Sequence, residues 1–342
     1  MKKVLVFGCG SIGAHHSNAA TKLNCCVYVT DINKEQFYYF KNHLYPSRYG
    51  KWNKLIKFID YNEVFKQKLK FDLIVIGTSP VNHLEVIEKC NLHLKFEKIL
   101  VEKPLMVYNQ RIRESLINQI RKNTYCGFNH ELSKSITLLK KIILKNKKNI
   151  KYIKISWQES FDYLLSAHPW IQSLKKSYLS NLEIGGGVMH EFSHAVHLSK
   201  NISEILKFKK LEVKKIEYKK INKFKYDQLI NFFFKKNKCI MEINIDSVSK
   251  PPKKEIDIYL KNKEIKWVRD NRVRFEKITF LNSNSRKITK VKKFKISRPG
   301  EFIDQMKLYL SKNKKDILKL KCNSLQSSLD TTKIIKKYLK SL

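Results

Sequence analysis

Residues 3–13, KVLVFGCGSIG, join a short apolar run to the pattern Gly8-x-Gly10-x-x-Gly13. The apolar run ends in glycine and predicts a buried parallel strand, with a helix beginning at about Ser11. In such a unit the first glycine makes a tight turn, the second admits a pyrophosphate, and the third allows close packing of helix on strand. The helix N-terminus then offers N–H groups to phosphate. The stretch therefore predicts a dinucleotide site built by Gly8, Gly10, Ser11, Ile12 and Gly13.

An acidic residue closes the second predicted strand, CCVYVTD. This residue, Asp31, lies 18 positions beyond Gly13. A carboxylate there can accept hydrogen bonds from the adenosine ribose hydroxyls and would repel a 2′-phosphate. The expected cofactor is therefore NAD. NADP stays open as the alternative, because Lys34 is close enough to soften the preference.

Two further strand ends carry residues suited to a ligand site. GTSPVNH places Thr78, Pro80 and His83 after one strand, and VEKPL places Glu102 and Lys103 after the next. Ligands of open α/β sheets bind at the carboxyl ends of the strands. We therefore add these five residues to the predicted cofactor site.

The pattern of predicted elements changes at about residue 130. Before it, strands alternate with helices, which predicts a doubly wound, mostly parallel sheet. After it, longer strands follow one another closely, which predicts a mostly antiparallel open sheet, and helices are expected at about 301–312 and 324–341. The expected fold class is α/β, with a Rossmann domain over 1–124. An α+β substrate and oligomerisation domain is expected over 125–342, its C-terminal helices packing back.

The formal net charge of +40 raises the question of a nucleic-acid partner. Only nine of the 70 basic residues are arginine, whereas specific phosphate and base recognition favours the arginine fork. Drift towards A/T-rich codons explains the lysines better than selection for anionic ligands, although both remain open. We expect no specific nucleic-acid binding.

Apolar runs and cysteines indicate the cellular setting. No apolar run approaches the roughly 18 residues of a membrane span, so no membrane association is expected. The seven cysteines are an odd, scattered set without C-x-x-C. This argues against a disulfide framework or a structural zinc site and is typical of a reducing cytoplasm.

The segment GGGVMHEFSH at 185–194 contains H-E-x-x-H. On one continuous helix, His190 and His194 could hold zinc, with Glu191 activating its water. That interpretation needs a third ligand, such as Glu204, Glu212 or Glu217, and it leaves the nucleotide motif without a purpose. The three preceding glycines also disfavour it, so no metal site is expected. Simple packing of His194 and His197 along a helix face is the other alternative.

Taken together, these motifs resemble the Gfo/Idh/MocA family of oxidoreductases, the glucose-fructose oxidoreductase and inositol dehydrogenase group. The resemblance extends over the whole chain, and its matching positions are Gly8–Gly13, Asp31, Thr78–His83, Glu102-Lys103-Pro104, Asn129, 185–187 and His194. It implies that Lys103 orients and polarises the reacting oxygen, that His194 exchanges its proton, and that Glu191 positions the imidazole. Histidine suits this role because it titrates near neutral pH.

The chain also departs from the family pattern. Glu191 replaces the usual aspartate and lies three residues before His194 rather than four, and Glu131 stands where many members carry arginine. One branch of the family is similar to this chain over residues 168–195. The predicted substrate contacts are Asn129, His168, Trp170 and His190.

The resemblance implies an NAD(P)-dependent oxidoreductase acting on a hydroxyl or carbonyl group of a sugar, inositol or nucleotide sugar. The lysine content adds an anionic substrate as a further expectation. The resemblance also implies a homo-oligomer, either a dimer or a tetramer. The alternative is a nucleotide-binding sensor or scaffold without turnover, motivated by Glu191 and Glu131. A nucleic-acid-associated protein rests on charge alone.

Overall fold

The structure is a computed structural model that describes residues 1–66, 68–166, 173–208, 210–221 and 223–339. The chain divides into two compact units. The first contains Met1–Met106, Gln110–Asn129 and Ser297–Leu329. The second contains Val107–Asn109, His130–Ile296 and the residues from Asp330 onward.

Six parallel strands form the main sheet of the first unit, in the order β3-β2-β1-β4-β5-β6, and the short segments Lys70–Phe71 and Lys95–Phe96 pair in a separate two-stranded sheet. They are β1 (Lys3–Phe7), β2 (Cys26–Thr30), β3 (Ile56–Phe58), β4 (Leu73–Ile76), β5 (Ile99–Val101) and β6 (Thr124–Cys126). Residues 4–7 and 73–76 are fully buried, because strands covered by helices on both faces require apolar side chains on both. The order reverses between β1 and β4, and such sheets bind ligands at this switch point.

Helices and short helical turns surround this sheet. They are α1 (Ser11–Thr21), α2 (Glu35–Tyr39), α3 (Tyr45–Tyr49), α4 (Tyr61–Val64), α5 (His83–His93) and α6 (Glu114–Ile120), with α11 (Arg298–Leu310) and α12 (Lys314–Leu320) from the far end of the chain. A π-helical turn, Phe40–Leu44, joins α2 to α3. Helix α11 packs on α1, where the rings of His15 and Phe302 stack at 4.7 Å.

The second unit is built on an eight-stranded sheet with the order β8-β9-β10-β7-β11-β12-β13-β14. Its strands are β7 (Ile150–Gln158), β8 (Lys210–Ile221), β9 (Phe224–Lys236), β10 (Cys239–Asp246), β11 (Lys253–Leu260), β12 (Lys263–Asp270), β13 (Phe275–Asn282) and β14 (Ile288–Lys295). Neighbouring strands are antiparallel except β7 and β10. Alternate residues such as Ile153, Ile155 and Trp157 enter the core because side chains alternate along a strand.

The helices of the second unit supply the other side of this core. They are α7 (Lys134–Asn146), α8 (Phe161–Ser166), α9 (Val188–Glu191) and α10 (Ser193–Leu206), and the end of α13 (Leu325–Leu339) joins them. The predicted fold class, a parallel Rossmann sheet with a separate, mostly antiparallel sheet, is confirmed. Across the described residues, none of the helices has the length and apolar character that crossing a membrane requires.

Candidate cofactor site and active-site residues

The glycine loop between β1 and α1 is held by close backbone contacts. Gly8 has φ +104°, and a Cβ at this position would lie 2.8 Å from the Gly77 carbonyl oxygen. A Cβ at Gly13 would lie 1.9 Å from the Gly8 oxygen, whereas one at Gly10 would meet no atom within 4 Å. Gly8 and Gly13 are therefore required by the turn and by packing. Gly10 leaves open space where a ligand can approach the backbone.

Asp31 fixes the loop from the end of β2. The backbone N–H of Cys9 donates to Asp31 Oδ2 at 2.7 Å, and that of Asn33 donates to Oδ1 at 3.0 Å. Burial, with a smaller effect of the Asp31 charge, raises the pKa of the Cys9 thiol far above its ordinary range. Cys9 is therefore an inert thiol, and Asp31 both shapes the loop and faces the neighbouring cavity.

A cavity of about 380 Å³ opens at the carboxyl ends of β1, β2 and β4. Four predicted residues line it: Gly8, Gly10, Asp31 and Thr78. The hydroxyl oxygen of Thr78 is buried and has no hydrogen-bond partner among the described residues. A buried hydroxyl of this kind normally has a partner, so the cavity fits a polar ligand such as the adenosine part of a dinucleotide.

Residues that the sequence analysis did not identify complete the cavity. They are Phe7, Thr30, Ile32, Gln36, Tyr61, Gly77, Ser79, Asn82, Glu85 and Val86. Several follow a strand end that had been recognised, such as Ile32 beside Asp31 and Ser79 beside Thr78. Position relative to the strand ends was therefore an available signal for these two. No such signal marks Tyr61, because it reaches the cavity from α4 and does not follow a strand end.

His83 is buried between two turns of the first unit. Its Nδ1 lies 3.0 Å from the Pro104 carbonyl oxygen, and its Nε2 lies 3.1 Å from that of Thr78. Burial lowers the pKa of His83 below its ordinary value. A neutral ring can donate to only one of these two carbonyl oxygens, and His83 lies between the turn after β4 and the turn after β5. Pro80, predicted as a cofactor contact, begins the 3₁₀ turn Pro80–Asn82 beside it.

Glu102 lies buried under the turn that carries Lys103. Its Oε1 is 2.6 Å from His16 Nε2, and a Cβ at Gly127 would lie 2.8 Å from its carboxyl group. The backbone N–H of Lys103 lies 3.4 Å from Glu102 Oε2, and the Lys103–Pro104 peptide bond is cis. In the structure Glu102 thus supports the backbone from which Lys103 extends. Its predicted cofactor contact stays a prediction, as does that of Lys103.

The first helical residue of the loop has a cationic neighbour that the sequence analysis missed. Arg48 Nη1 donates to Ser11 Oγ at 2.8 Å and to the Ser11 carbonyl oxygen at 3.2 Å. Ile12, the next predicted contact, packs against Gly77. No local pattern marks Arg48, because 37 positions separate it from Ser11.

In the second unit, the glycines at 185–187 form a tight turn before α9. Gly185 and Gly187 have positive φ values of +97° and +79°. A Cβ at Gly186 would lie 2.2 Å from the Tyr178 carbonyl oxygen, and one at Gly187 would lie 1.8 Å from Asp227 Oδ1. Side chains are therefore excluded at Gly186 by contact with backbone and at Gly187 by both φ and contact.

Asp227, near the start of β9, anchors the start of α9. It is fully buried, and its Oδ2 accepts the backbone N–H of Met189 at 2.9 Å. Oδ1 has no hydrogen-bond partner among the described residues. Burial raises the pKa of Asp227 to about 7, although bonds from the backbone N–H groups of Met189 and Val188 oppose the shift. No motif marks Asp227 in the sequence, because it lies among polar residues at the start of its strand.

The H-E-x-x-H residues do not lie on one continuous helix. Helix α9 ends at Glu191 and α10 begins at Ser193, with Phe192 between them at φ −96° and ψ 28°. His190 is buried, its Nε2 accepts the backbone N–H of Tyr108 at 3.1 Å, and its Nδ1 therefore donates to the Gly186 oxygen at 2.9 Å. This geometry gives His190 a supporting role in the turn, and its predicted substrate contact stays a prediction.

His194 lies in the first turn of α10 among aromatic rings. The His130 ring is perpendicular to it at 4.5 Å, and the Trp157 ring lies at 6.4 Å. The Tyr178 hydroxyl donates to Glu191 Oε2 at 2.7 Å. Desolvation of the hydroxyl group and the Glu191 carboxylate hold the pKa of Tyr178 well above its ordinary range, although part of the side chain is exposed. Tyr178 therefore binds the carboxylate that was predicted to position His194.

The other predicted substrate residues fall in different places. Asn129 begins the 3₁₀ turn Asn129–Leu132, and its Oδ1 is buried without a hydrogen-bond partner among the described residues. His168 and Trp170 lie outside the described residues. Glu131, which stands where many family members carry arginine, is buried and forms an ion pair with Lys140.

Comparison with known proteins supports the resemblance found in the sequence. Residues 2–126 match the Gfo/Idh/MocA family model, described as an oxidoreductase family with an NAD-binding Rossmann fold. The resemblance to this family, and the expected NAD-type cofactor, are therefore confirmed for that part of the chain. A comparison with curated proteins gives no match.

Solved structures resemble the chain over nearly its whole length. A levoglucosan dehydrogenase in complex with NADH has a TM-score of 0.72 at 14% identity, covering 99% of this chain and 96% of its own. An inositol dehydrogenase homologue from Azotobacter vinelandii, complexed with NAD⁺, has a TM-score of 0.71 at 11% identity, covering 99% and 95%. The 3-ketoreductase KijD10 from Actinomadura kijaniata, with NADP and TDP-benzene, has a TM-score of 0.68 at 12% identity, covering 97% and 94%. At these identities the likeness establishes the fold alone.

Proposed function

We propose that this chain is an NAD(P)-dependent oxidoreductase that acts on a hydroxyl or carbonyl group of a carbohydrate-like substrate. The cavity beside the glycine loop carries the proposal, because it combines open space at Gly10 with the Asp31 carboxylate and the unpartnered Thr78 hydroxyl. The match of residues 2–126 to an NAD-binding oxidoreductase family supports it.

NAD is the preferred cofactor in this proposal. Asp31 would accept hydrogen bonds from the ribose hydroxyls and repel a 2′-phosphate. The ammonium group of Lys34, which could have offset that repulsion, lies 2.6 Å from a carboxylate oxygen of Asp60. Because Asp60 engages this positive charge, Lys34 favours NADP less than its position in the sequence indicated.

Lys103 and His194 are the proposed catalytic residues. A bound nicotinamide would supply the hydride acceptor or donor. In the direction of oxidation the carbinol carbon loses a hydride, and the hydroxyl proton passes to His194 Nε2 or Nδ1. Lys103 would hold the same oxygen with its ammonium group and stabilise negative charge on it. Glu191, itself bound by Tyr178, would keep the imidazole in position.

The proposed substrate class rests on the similar solved structures and on the net charge of the chain. The similar structures include a dehydrogenase of levoglucosan, an inositol dehydrogenase homologue and a 3-ketoreductase holding TDP-benzene. We extend this to a sugar, inositol or nucleotide sugar, and the net charge of +40 favours an anionic one. A homo-oligomer and a cytoplasmic location complete the proposal. The odd, scattered set of seven cysteines in the sequence favours the latter.

Cofactor binding and turnover test the proposal separately. Fluorescence titration with NADH and NADPH should show binding with preference for NADH, and failure to bind either would overturn the proposal. A panel of sugars, inositols and nucleotide sugars should then reveal turnover. Binding without turnover on any of them would favour the sensor or scaffold alternative.

Variants test the catalytic roles. Lys103→Ala and His194→Ala should each lower kcat by about 100-fold or more while NADH affinity stays close to wild type. Lys122→Ala, an exposed lysine of the first unit, is the matched control for Lys103→Ala and should keep full activity. Unchanged kcat in either catalytic variant would refute the role assigned to that residue.

A further inference from the structure

Two of the nine arginines of the chain meet beside the glycine loop. Arg48 follows the π-helical turn and reaches Ser11, the first residue of α1. Arg298 begins α11, far along the chain, and its Nε donates to His15 Nε2 at 3.0 Å. Arg48 Nη1 lies 3.1 Å from the same nitrogen. One imidazole in the second turn of α1 therefore holds two guanidinium groups.

The histidine that holds them is fixed and neutral in this arrangement. Its Nε2 accepts from both arginines, so its proton lies on Nδ1, which faces the Tyr49 hydroxyl. The ring stacks on Phe302, which also lies under the Arg298 guanidinium at 5.9 Å. The two cations are thus held close together by a neutral acceptor and an aromatic face.

Like charges placed this way repel each other. Burial lowers the pKa of Arg48, and the charge of Arg298 adds to that effect. Binding an anion would offset the repulsion, because phosphate oxygens accept paired N–H donors of arginine in a low-dielectric site. The positive end of α1 lies at Ser11, so the local field favours the same type of ligand.

We propose that Arg48 and Arg298 bind a phosphate group of the dinucleotide held at the glycine loop. Ser11 would share that group through its backbone N–H, while Arg48 supplies a charge that the loop lacks. This inference rests on the proposed function, since it adds two residues to the same cofactor site. The phosphate is either the bridging pyrophosphate or a 2′-phosphate, and both present the same oxygen acceptors.

Titration of the full chain with NADH and NADPH tests the proposal. Arg48→Gln and Arg298→Gln should each weaken binding by about tenfold, as the loss of one charge-assisted bond predicts. Arg48→Lys should weaken binding nearly as much as Arg48→Gln does, because an ammonium group lacks the paired N–H donors of a guanidinium group. Arg272→Gln, an exposed arginine paired with Asp270 in the second unit, is the control and should bind as wild type does.

The two cofactors separate the two phosphates. Equal loss for NADH and NADPH assigns the arginines to the pyrophosphate, and loss for NADPH alone assigns them to the 2′-phosphate. A folded double variant, checked by circular dichroism, that binds both cofactors as tightly as wild type would overturn the proposal.

Inorganic pyrophosphate gives a readout that does not depend on the proposed function. It should raise the Tm of the wild type and not that of the Arg48→Gln/Arg298→Gln double variant. If neither dinucleotide binds but pyrophosphate still stabilises the wild type alone, the anion site stands and the proposed oxidoreductase function fails. Equal stabilisation of both proteins would refute the anion site itself.

Discussion

Replacement of Asp227 by asparagine should change how the stability of the protein depends on pH. The carboxyl group is fully buried, and burial raises its pKa from 3.8 to about 7. The folded state therefore holds a proton that the unfolded state releases between about pH 4 and pH 7. Because the folded state binds more protons over this range, the free energy of unfolding falls as the pH rises.

The magnitude follows from the two pKa values. A difference of about three pKa units corresponds to a loss of about 4 kcal/mol once the pH exceeds 7. Asparagine is neutral at every pH and can keep an oxygen towards the Met189 N–H, so the variant should lack this loss. Its amide N–H₂ would then occupy the position where Oδ1 has no hydrogen-bond partner among the described residues. A buried donor group without a partner lowers the free energy of unfolding by about 1–3 kcal/mol. The variant should therefore be slightly less stable than wild type at pH 5 and more stable by about 1–3 kcal/mol at pH 8.

Urea unfolding of both proteins between pH 5 and pH 8 measures the effect. Tryptophan fluorescence is a suitable probe, because Trp157 and Trp267 lie in the core of the same unit as Asp227. Asp304→Asn, at an exposed position on α11, is the control and should follow the wild-type pH profile. If the profiles of Asp227→Asn and wild type run parallel over this range, Asp227 does not titrate there and the reasoning is refuted.

Three further substitutions probe the two units. Gly187→Ala should destabilise the protein by about 3 kcal/mol or more, measured by urea unfolding, because its Cβ would strike Asp227 at a positive φ; a loss below about 1 kcal/mol would show that the turn can relax. Thr78→Val should weaken NADH binding by about tenfold without lowering Tm, since the hydroxyl has no hydrogen-bond partner among the described residues; unchanged affinity would remove Thr78 from the site. Asp31→Ser should shift the ratio of NADPH to NADH affinity towards NADPH by about tenfold or more, measured by fluorescence titration, and an unchanged ratio would show that Asp31 acts only through the Cys9 bond.

Features encoded by short stretches of sequence could be predicted. The glycine loop follows its strand directly, so each glycine could be given its function from spacing, and Asp31 lies at the end of the next strand. Strand–helix alternation was sufficient to predict the parallel sheet. Two strands of the second sheet, β12 and β14, are hard to predict, because lysines and other charged residues interrupt their apolar pattern and most of β14 is exposed.

Features formed by distant residues could not be predicted in this way. Arg48 and Arg298 meet at His15 from segments 250 positions apart. Asp227 reaches Met189 from a strand that carries no motif. His83, His190 and Glu102 are of types common in binding sites, and only their hydrogen bonds show that they support backbone turns.

Helix α11 has a consequence for how the protein is made. The first unit is not continuous in the chain, because Ser297–Leu329 belong to it although the whole of His130–Ile296 comes before them. The rings of His15 and His16 pack on Phe302, and Leu325 and Leu329 fill the same core as β1. On the ribosome the first unit is therefore begun first and completed only after His130–Ile296 of the second unit have been made, and the second unit in turn gains its last residues from Asp330 onward. Residues 1–129 expressed alone would expose these apolar surfaces, so a fragment made to isolate the cofactor domain has to carry residues 297–329 as well.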